Sequence, residues 1–153
     1  MKAILLNLLK VKLKREKPEY KNLKYKKILS YLSKMDNSKS DIALVSNNRL
    51  LETGTSNLLF VKDQKFFTPK KGYYEGNTYK FFKTKIRKII KKDILLKEIK
   101  KYDEILLIGS GKGVASVRTI NEIKWKRKNL EKFNILSKHY HAVMNKCNSY
   151  KFK

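Results

Sequence analysis

The stretch RLLETGTSNLLFVKDQKFFTP, Arg49 to Pro69, decides how the rest of the chain is read. Apolar runs lie on both sides of a polar interruption, ETGTSN at 52–57. The pattern is a strand, the interruption, a second strand and a turn. A surface hairpin needs one or two turn-forming residues at its bend. This bend gathers a carboxylate, Glu52, the hydroxylated Thr53, Thr55 and Ser56, then Gly54 and Asn57. Taken alone, Glu52 reads as an exposed hairpin carboxylate.

Working outward, IALVS reads as a buried strand, NNR as a tight turn and LLETGTSNLLFVK as its partner. DQ makes another turn before KFFTP, so 42–69 are expected to form a meander of three antiparallel strands. Upstream, residues 1–20 alternate apolar and basic positions as a strand or short helix, stopped by Pro18. Lys21 to about Lys34 carries Leu23, Ile28, Leu29 and Leu32 at helical spacing. Downstream, a helix is expected from Thr78 to about Lys91, with Phe81, Phe82, Ile86, Ile89 and Ile90 as its apolar face and Asn77 or Thr78 as its cap. EILLIG and VASVRTI read as strands on either side of the turn SGKG. From Glu122 a linker leads to a C-terminal helix carrying Leu130, Phe133, Leu136 and Tyr140. Helices and strands interleave without strict alternation, which predicts an α+β (mixed α/β) fold with a barrel-like sheet, in a single domain over residues 1–153.

Composition narrows the function classes. At 153 residues and 41% hydrophobic the chain can bury a real core. It has no apolar run of about eighteen residues, so no membrane-spanning helix is expected. The N-terminal MKAILLNLLKVKLK lacks a small-residue cleavage site, and the single Cys147 cannot form an internal disulfide, so a reducing, cytoplasmic setting is expected. His139 and His141 beside Cys147 have no recognisable metal-ligand spacing, and no metal is expected. The formal charge of +25 would attract nucleic acid without any specific site. Only five of the 38 basic residues are arginine, however, and they spread from end to end. A dedicated nucleic-acid reader concentrates charge on one face and prefers arginine, so nucleic-acid binding is the lesser alternative.

Three turns stand out: ETGTSN (52–57), GNT (76–78) and GSGKG (109–113). The second opens a helix, where free amides and the helix dipole favour an anion. The third follows a buried strand, where glycines allow close approach and a serine hydroxyl can donate. Two such turns converging would hold a phosphate. Each also has a plainer reading, as a helix cap and as an ordinary turn. GSGKG is not a Walker A loop, because Gly113 follows Gly-Lys and Leu106 stands where the first glycine belongs.

In this order and spacing, the pieces resemble the C-terminal half of the class IV aminotransferases. That family comprises pyridoxal-phosphate enzymes including branched-chain and D-amino-acid aminotransferases and 4-amino-4-deoxychorismate lyase. Its run of Glu-x-x-x-x-Asn-Leu/Ile-Phe, Tyr/Phe-Thr-Pro, Gly-Ile-Thr-Arg and an acidic-aliphatic strand ending in Gly-Thr appears here as Glu52 to Asn57, FFTP, Gly76-Asn77-Thr78-Tyr79 and DEILLIGSG. The resemblance covers roughly residues 20–145. It implies the pseudo-barrel-like C-terminal domain of the D-amino-acid aminotransferase-like fold and pyridoxal 5'-phosphate as cofactor.

The resemblance also gives the crowded bend a purpose. Glu52 would face the pyridine nitrogen and keep the ring an electron sink. The small residues would let the backbone approach the ring, and Asn57 would brace the turn. Asn77 and Thr78 at the helix start, with Ser110 and Gly111 from the other turn, would cradle the phosphate, and Gly76 would also belong to the cofactor site. Asn77 replaces an aliphatic residue, Tyr79 the usual arginine, and Ser110 a threonine whose hydroxyl it keeps. The Schiff-base lysine is expected about thirty residues before the glutamate, which points to Lys21 with Tyr25 four residues on; Lys24 is its rival. Lys21 and Glu52 would then converge on one cavity roughly 7–10 Å apart, with Lys24 toward solvent.

Family members are about twice as long, so the N-terminal domain is expected to be absent here, with the chain part of a longer reading frame or a degenerate or split protein. The implied substrate is an amino acid and oxo acid pair, or aminodeoxychorismate with p-aminobenzoate as product. A homodimer is implied for a full-length chain. The alternative of another class is a basic module that coats RNA.

Overall fold

The computed structural model describes the backbone of residues 3–9 and residues 26–147. In chain order these form β1 (Ala3–Leu9), α1 (Lys26–Leu32), β2 (Ser40–Ser46), β3 (Arg49–Thr53), β4 (Asn57–Lys62), β5 (Lys65–Pro69), α2 (Asn77–Lys85), β6 (Ile89–Lys92) and β7 (Ile94–Leu95). A 3₁₀ turn follows, then β8 (Glu104–Gly109), β9 (Gly113–Ile120), β10 (Trp125–Lys126) and α3 (Glu131–Cys147). All strands of the described residues belong to one sheet, ordered β6-β5-β4-β8-β9-β1-β2-β3-β7, with β10 beside β9. The fold is the expected mixed α+β class, with the sheet curled into a half-barrel.

Two tight hairpins come out as the turn residues dictate. Asn47-Asn48 joins β2 to β3 and Asp63-Gln64 joins β4 to β5, all four at positive φ. The short polar side chains of Asn and Asp tolerate that region better than β-branched ones, and it matches the strand twist.

The predicted three-stranded meander does not form. β3 pairs with β2 and β7, while β4 pairs with β5 and β8. ETGTSN is therefore a passage between two hairpins, not a bend within one. Burial is the reason. Glu52, Thr53, Gly54, Ser56 and Asn57 are all buried, and an exposed bend would leave them in water. Gly54 lies so close to Ile42 and Leu32 that a Cβ there would stand 3.1 Å from each. Thr53 N–H donates to the Ser56 carbonyl at 2.9 Å, which holds the ends of β3 and β4 together where the sheet curls.

The continuous apolar runs follow from burial on both faces. Leu58 and Phe60 of β4, with Ile105 and Leu107 of β8, enter one core cluster with Ala43, Val117 and Trp125. Their neighbours Leu59, Val61, Leu106 and Ile108 enter a second cluster beneath α2 and α3, with Tyr79, Phe82, Phe133 and Leu136. Ile28 and Leu32 of α1 cover Ile42 and Leu44 of β2.

The helix expected to run to Lys91 stops at Lys85. Ile86 is its extended C-cap, and Ile89 and Ile90 belong to β6, paired in parallel with Phe66 and Phe67. Clustered isoleucines are stiff at χ1 and suit a pleated strand, so strand pairing overrides the helical spacing. The N-cap is Gly76, without a side-chain cap bond, instead of Asn77 or Thr78. The C-terminal helix forms as expected, and no helix of the described residues is long and apolar enough to cross a membrane.

Candidate functional site

Glu52 is placed by β3, opposite Leu44 of β2, and is only 3% exposed. The Tyr74 N–H donates to its Oε2 at 3.3 Å. Tyr74 belongs to the loop that leads from β5 into α2, so the carboxylate is tied to the segment that starts the helix.

Asn57 supports the same loop. Its side-chain amide donates to the Tyr74 carbonyl at 2.5 Å and its Oδ1 accepts the Gly76 N–H at 3.1 Å. The resemblance implied that Asn57 braces its own turn; its side chain instead staples the loop before α2. The turn at 53–56 is braced by Thr53, whose Oγ1 accepts the Ser56 N–H at 2.9 Å. A threonine hydroxyl two or three residues before an amide is well placed for this bond, so this turn closes on itself.

The first internal bond of α2 runs from Lys80 N–H to the Gly76 carbonyl. The amides of Asn77, Thr78 and Tyr79 thus have no acceptor within the helix. The Thr78 hydroxyl lies 3.3 Å from that of Ser110, at the head of the β8–β9 turn. The structure therefore brings the GNT and GSGKG turns together, with two hydroxyls beside a helix N-terminus whose dipole favours an anion. Asn77 is exposed, and Tyr79 points into the core against Tyr73, their rings edge to face at 6.1 Å.

These pieces surround one cavity of about 220 Å³. Glu52 and Asn57 line it from one side, Tyr74 and Gly76 from the loop, and Ser110 and Gly111 from the β8–β9 turn. Gly109 permits the closeness of the turns: a Cβ on it would stand 2.8 Å from Ser56 Oγ and 2.9 Å from the Thr55 carbonyl. Gly111 faces open space. Lys21, Tyr25 and Lys24 lie outside the described residues.

The family model described as Amino-transferase class IV matches residues 1–120. The chain belongs to this family. Class IV aminotransferases are pyridoxal-phosphate-dependent. A branched-chain aminotransferase from Thermobaculum terrenum, solved in its pyridoxal-phosphate form, is similar to this class IV chain with a TM-score of 0.75 at 17% identity, over 92% of this chain and 50% of that one. A branched-chain aminotransferase from Thermoproteus uzoniensis, solved with norvaline, gives 0.74 at 14%, over 93% and 51%. The 4-amino-4-deoxychorismate lyase of Pseudomonas aeruginosa gives 0.67 at 20%, over 85% and 52%. At these identities the likeness is one of fold. This chain spans about half the length of these structures. A search of curated proteins finds no significant match.

Two residues bonded to the turns beside this cavity escaped sequence reasoning. Asp41, fully buried at the start of β2, accepts from the Thr53 and Thr55 hydroxyls at 2.9 and 2.5 Å. Lys112, in the β8–β9 turn, forms an ion pair with Asp41 at 3.2 Å. The only signal was the lysine in GSGKG, which pointed nowhere once the Walker pattern had failed.

Proposed function

We propose that the chain is the cofactor-binding half of a class IV enzyme that holds pyridoxal 5'-phosphate and acts on an amino acid. One observation carries the reading. A buried carboxylate, Glu52, and Ser110, whose hydroxyl lies 3.3 Å from that of Thr78, line one cavity. The donor set fits the cofactor's two polar ends. Two hydroxyls and a helix N-terminus suit a phosphate, and a carboxylate in a poorly solvated wall suits a protonated ring nitrogen.

When bound, the cofactor supplies an electron-poor ring that accepts the electron pair left at a substrate α-carbon. Glu52, fixed by the Tyr74 amide, holds the proton at the ring nitrogen. Thr78 and Ser110 donate to the phosphate, together with the amides at the start of α2 and at Gly111. Asn57 keeps the loop 74–76 in place. Lys21 is proposed as the covalent attachment point and as the group that carries the substrate proton, with Tyr25 beside it.

Amino-group transfer to an oxo acid is the proposed reaction, and release of p-aminobenzoate from aminodeoxychorismate is the alternative. A homodimer is proposed for the full-length protein. Titrating the chain with pyridoxal 5'-phosphate tests the reading. A cofactor absorbance band that is lost in Lys21→Ala and altered in Glu52→Ala is expected. A folded chain that gives no band at saturating cofactor would overturn it. Assaying p-aminobenzoate release against amino-group transfer separates the two reactions.

A further inference from the structure

The turns that line the cavity come from distant parts of the chain, yet a compact polar cluster joins them. Lys112 Nζ donates to Thr55 Oγ1 at 2.9 Å and pairs with Asp41 Oδ2 at 3.2 Å. Thr55 Oγ1 donates to that same carboxylate oxygen at 2.5 Å, which closes a three-membered ring of contacts. Asp41 Oδ1 accepts the Ile42 amide at 2.8 Å, and Thr53 adds a further bond to Oδ2. The Lys112 side chain is 10% exposed and that of Asp41 0%. Both charges are thus largely removed from water, where a paired contact is strong and either charge alone is costly.

We propose that Lys112 is a positioning residue, the clasp that fixes the Ser110 turn against the Thr53–Ser56 turn. This assignment rests on the functional reading above. Ser110 lies two residues before Lys112, and Glu52 one residue before Thr53. A clasp between these turns sets the separation between the anion corner and the carboxylate, the two points that one rigid ligand must reach together. The β8–β9 turn does little to hold this spacing by itself. A methyl group on its Gly111 would meet nothing within 4 Å, and Lys112 N–H bonds to the Gly109 carbonyl across the turn at a long 3.2 Å. Lys112 touches no reacting atom in this scheme, because its ammonium is committed to Asp41 and Thr55.

The test compares the full 153-residue chain with Asp41→Asn/Lys112→Met, a double change that avoids leaving one buried charge unmatched. Lys112→Arg serves as the conservative variant. Two measurements are made on each: amide hydrogen exchange across the chain, and affinity for inorganic phosphate and for pyridoxal 5'-phosphate. In the double variant, exchange should rise together at 53–56 and 110–113 while β4 and β8 stay protected. Affinity for both probes should fall about tenfold, with Lys112→Arg recovering most of it. Faster exchange confined to 111–113, or unchanged affinity in a folded double variant, overturns the clasp. If the unaltered chain binds neither probe, the cofactor reading fails, and the exchange pattern alone then decides whether the clasp exists.

Discussion

Asn57 and Gly76 stand nineteen residues apart and are joined directly, Asn57 Oδ1 accepting the Gly76 N–H at 3.1 Å. With the bond to the Tyr74 carbonyl, one amide side chain thus satisfies both a donor and an acceptor of the loop that starts α2. Replacing Asn57 by leucine strands both. A loss of about 1–3 kcal/mol is expected, the usual cost of an unmade buried bond, read from urea unfolding. Asn57→Asp keeps the acceptor and loses the donor, and should fall between.

Two glycines of one turn should respond in opposite ways. Gly109→Ala places a methyl 2.8–2.9 Å from Ser56 Oγ and the Thr55 carbonyl, and a backbone oxygen cannot swing aside. It should lower stability by about 1–3 kcal/mol, as overpacking does. Gly111→Ala meets open space and should stay within about 0.5 kcal/mol. Equal thermal midpoints for the two variants would contradict this packing.

The hydroxyls of Thr78 and Ser110 are expected to read the phosphate and not the ring. Thr78→Val and Ser110→Ala should each weaken pyridoxal 5'-phosphate binding roughly tenfold, about 1.4 kcal/mol. Affinity for unphosphorylated pyridoxal should hardly change. An equal loss for both ligands would mean that the pair supports the fold instead of the anion.

Glu104 gives a pH dependence of stability. Burial raises its carboxyl above the ordinary range, against the Lys132 and Phe133 amides that donate to it at the start of α3. A carboxyl with a raised pKa in the folded state ionises more readily in the unfolded chain. Stability is therefore lost as pH climbs from the ordinary carboxylate range through the raised value. Glu104→Gln should flatten that decline, so its unfolding free energy should gain on the unaltered chain between acid and neutral pH. A constant difference at every pH would show that Glu104 does not titrate differently on folding.

Much of the architecture was written locally. NN and DQ set their hairpins because the φ > 0 turn is a property of two residues. EILLIG declared a buried strand by its apolar run, VASVRTI declared a second strand after the SGKG turn, and the C-terminal helix declared itself by its spacing. Residues 77–90 show where local reading fails. Phe81, Phe82, Ile86, Ile89 and Ile90 fit a helical face, but β5 offers hydrogen-bond partners that Ile89 and Ile90 take up as a strand. Local spacing cannot register a partner that lies on the far side of an intervening helix.

The site divides along the same line. Read by residue type alone, Glu52 was an exposed hairpin carboxylate, and only the order and spacing of the motifs, through their resemblance to class IV aminotransferases, pointed to it with the GNT helix start and the Ser110 turn. Tertiary structure decided that β3 and β4 part company, so that ETGTSN is a buried passage beside the cavity and not an exposed bend. It also decided that Asn57 serves the loop before α2 and that Asp41 and Lys112 meet across 71 positions of chain. Those contacts depend on how a sheet curls, and curl is the sum of many strand pairings that no short stretch contains.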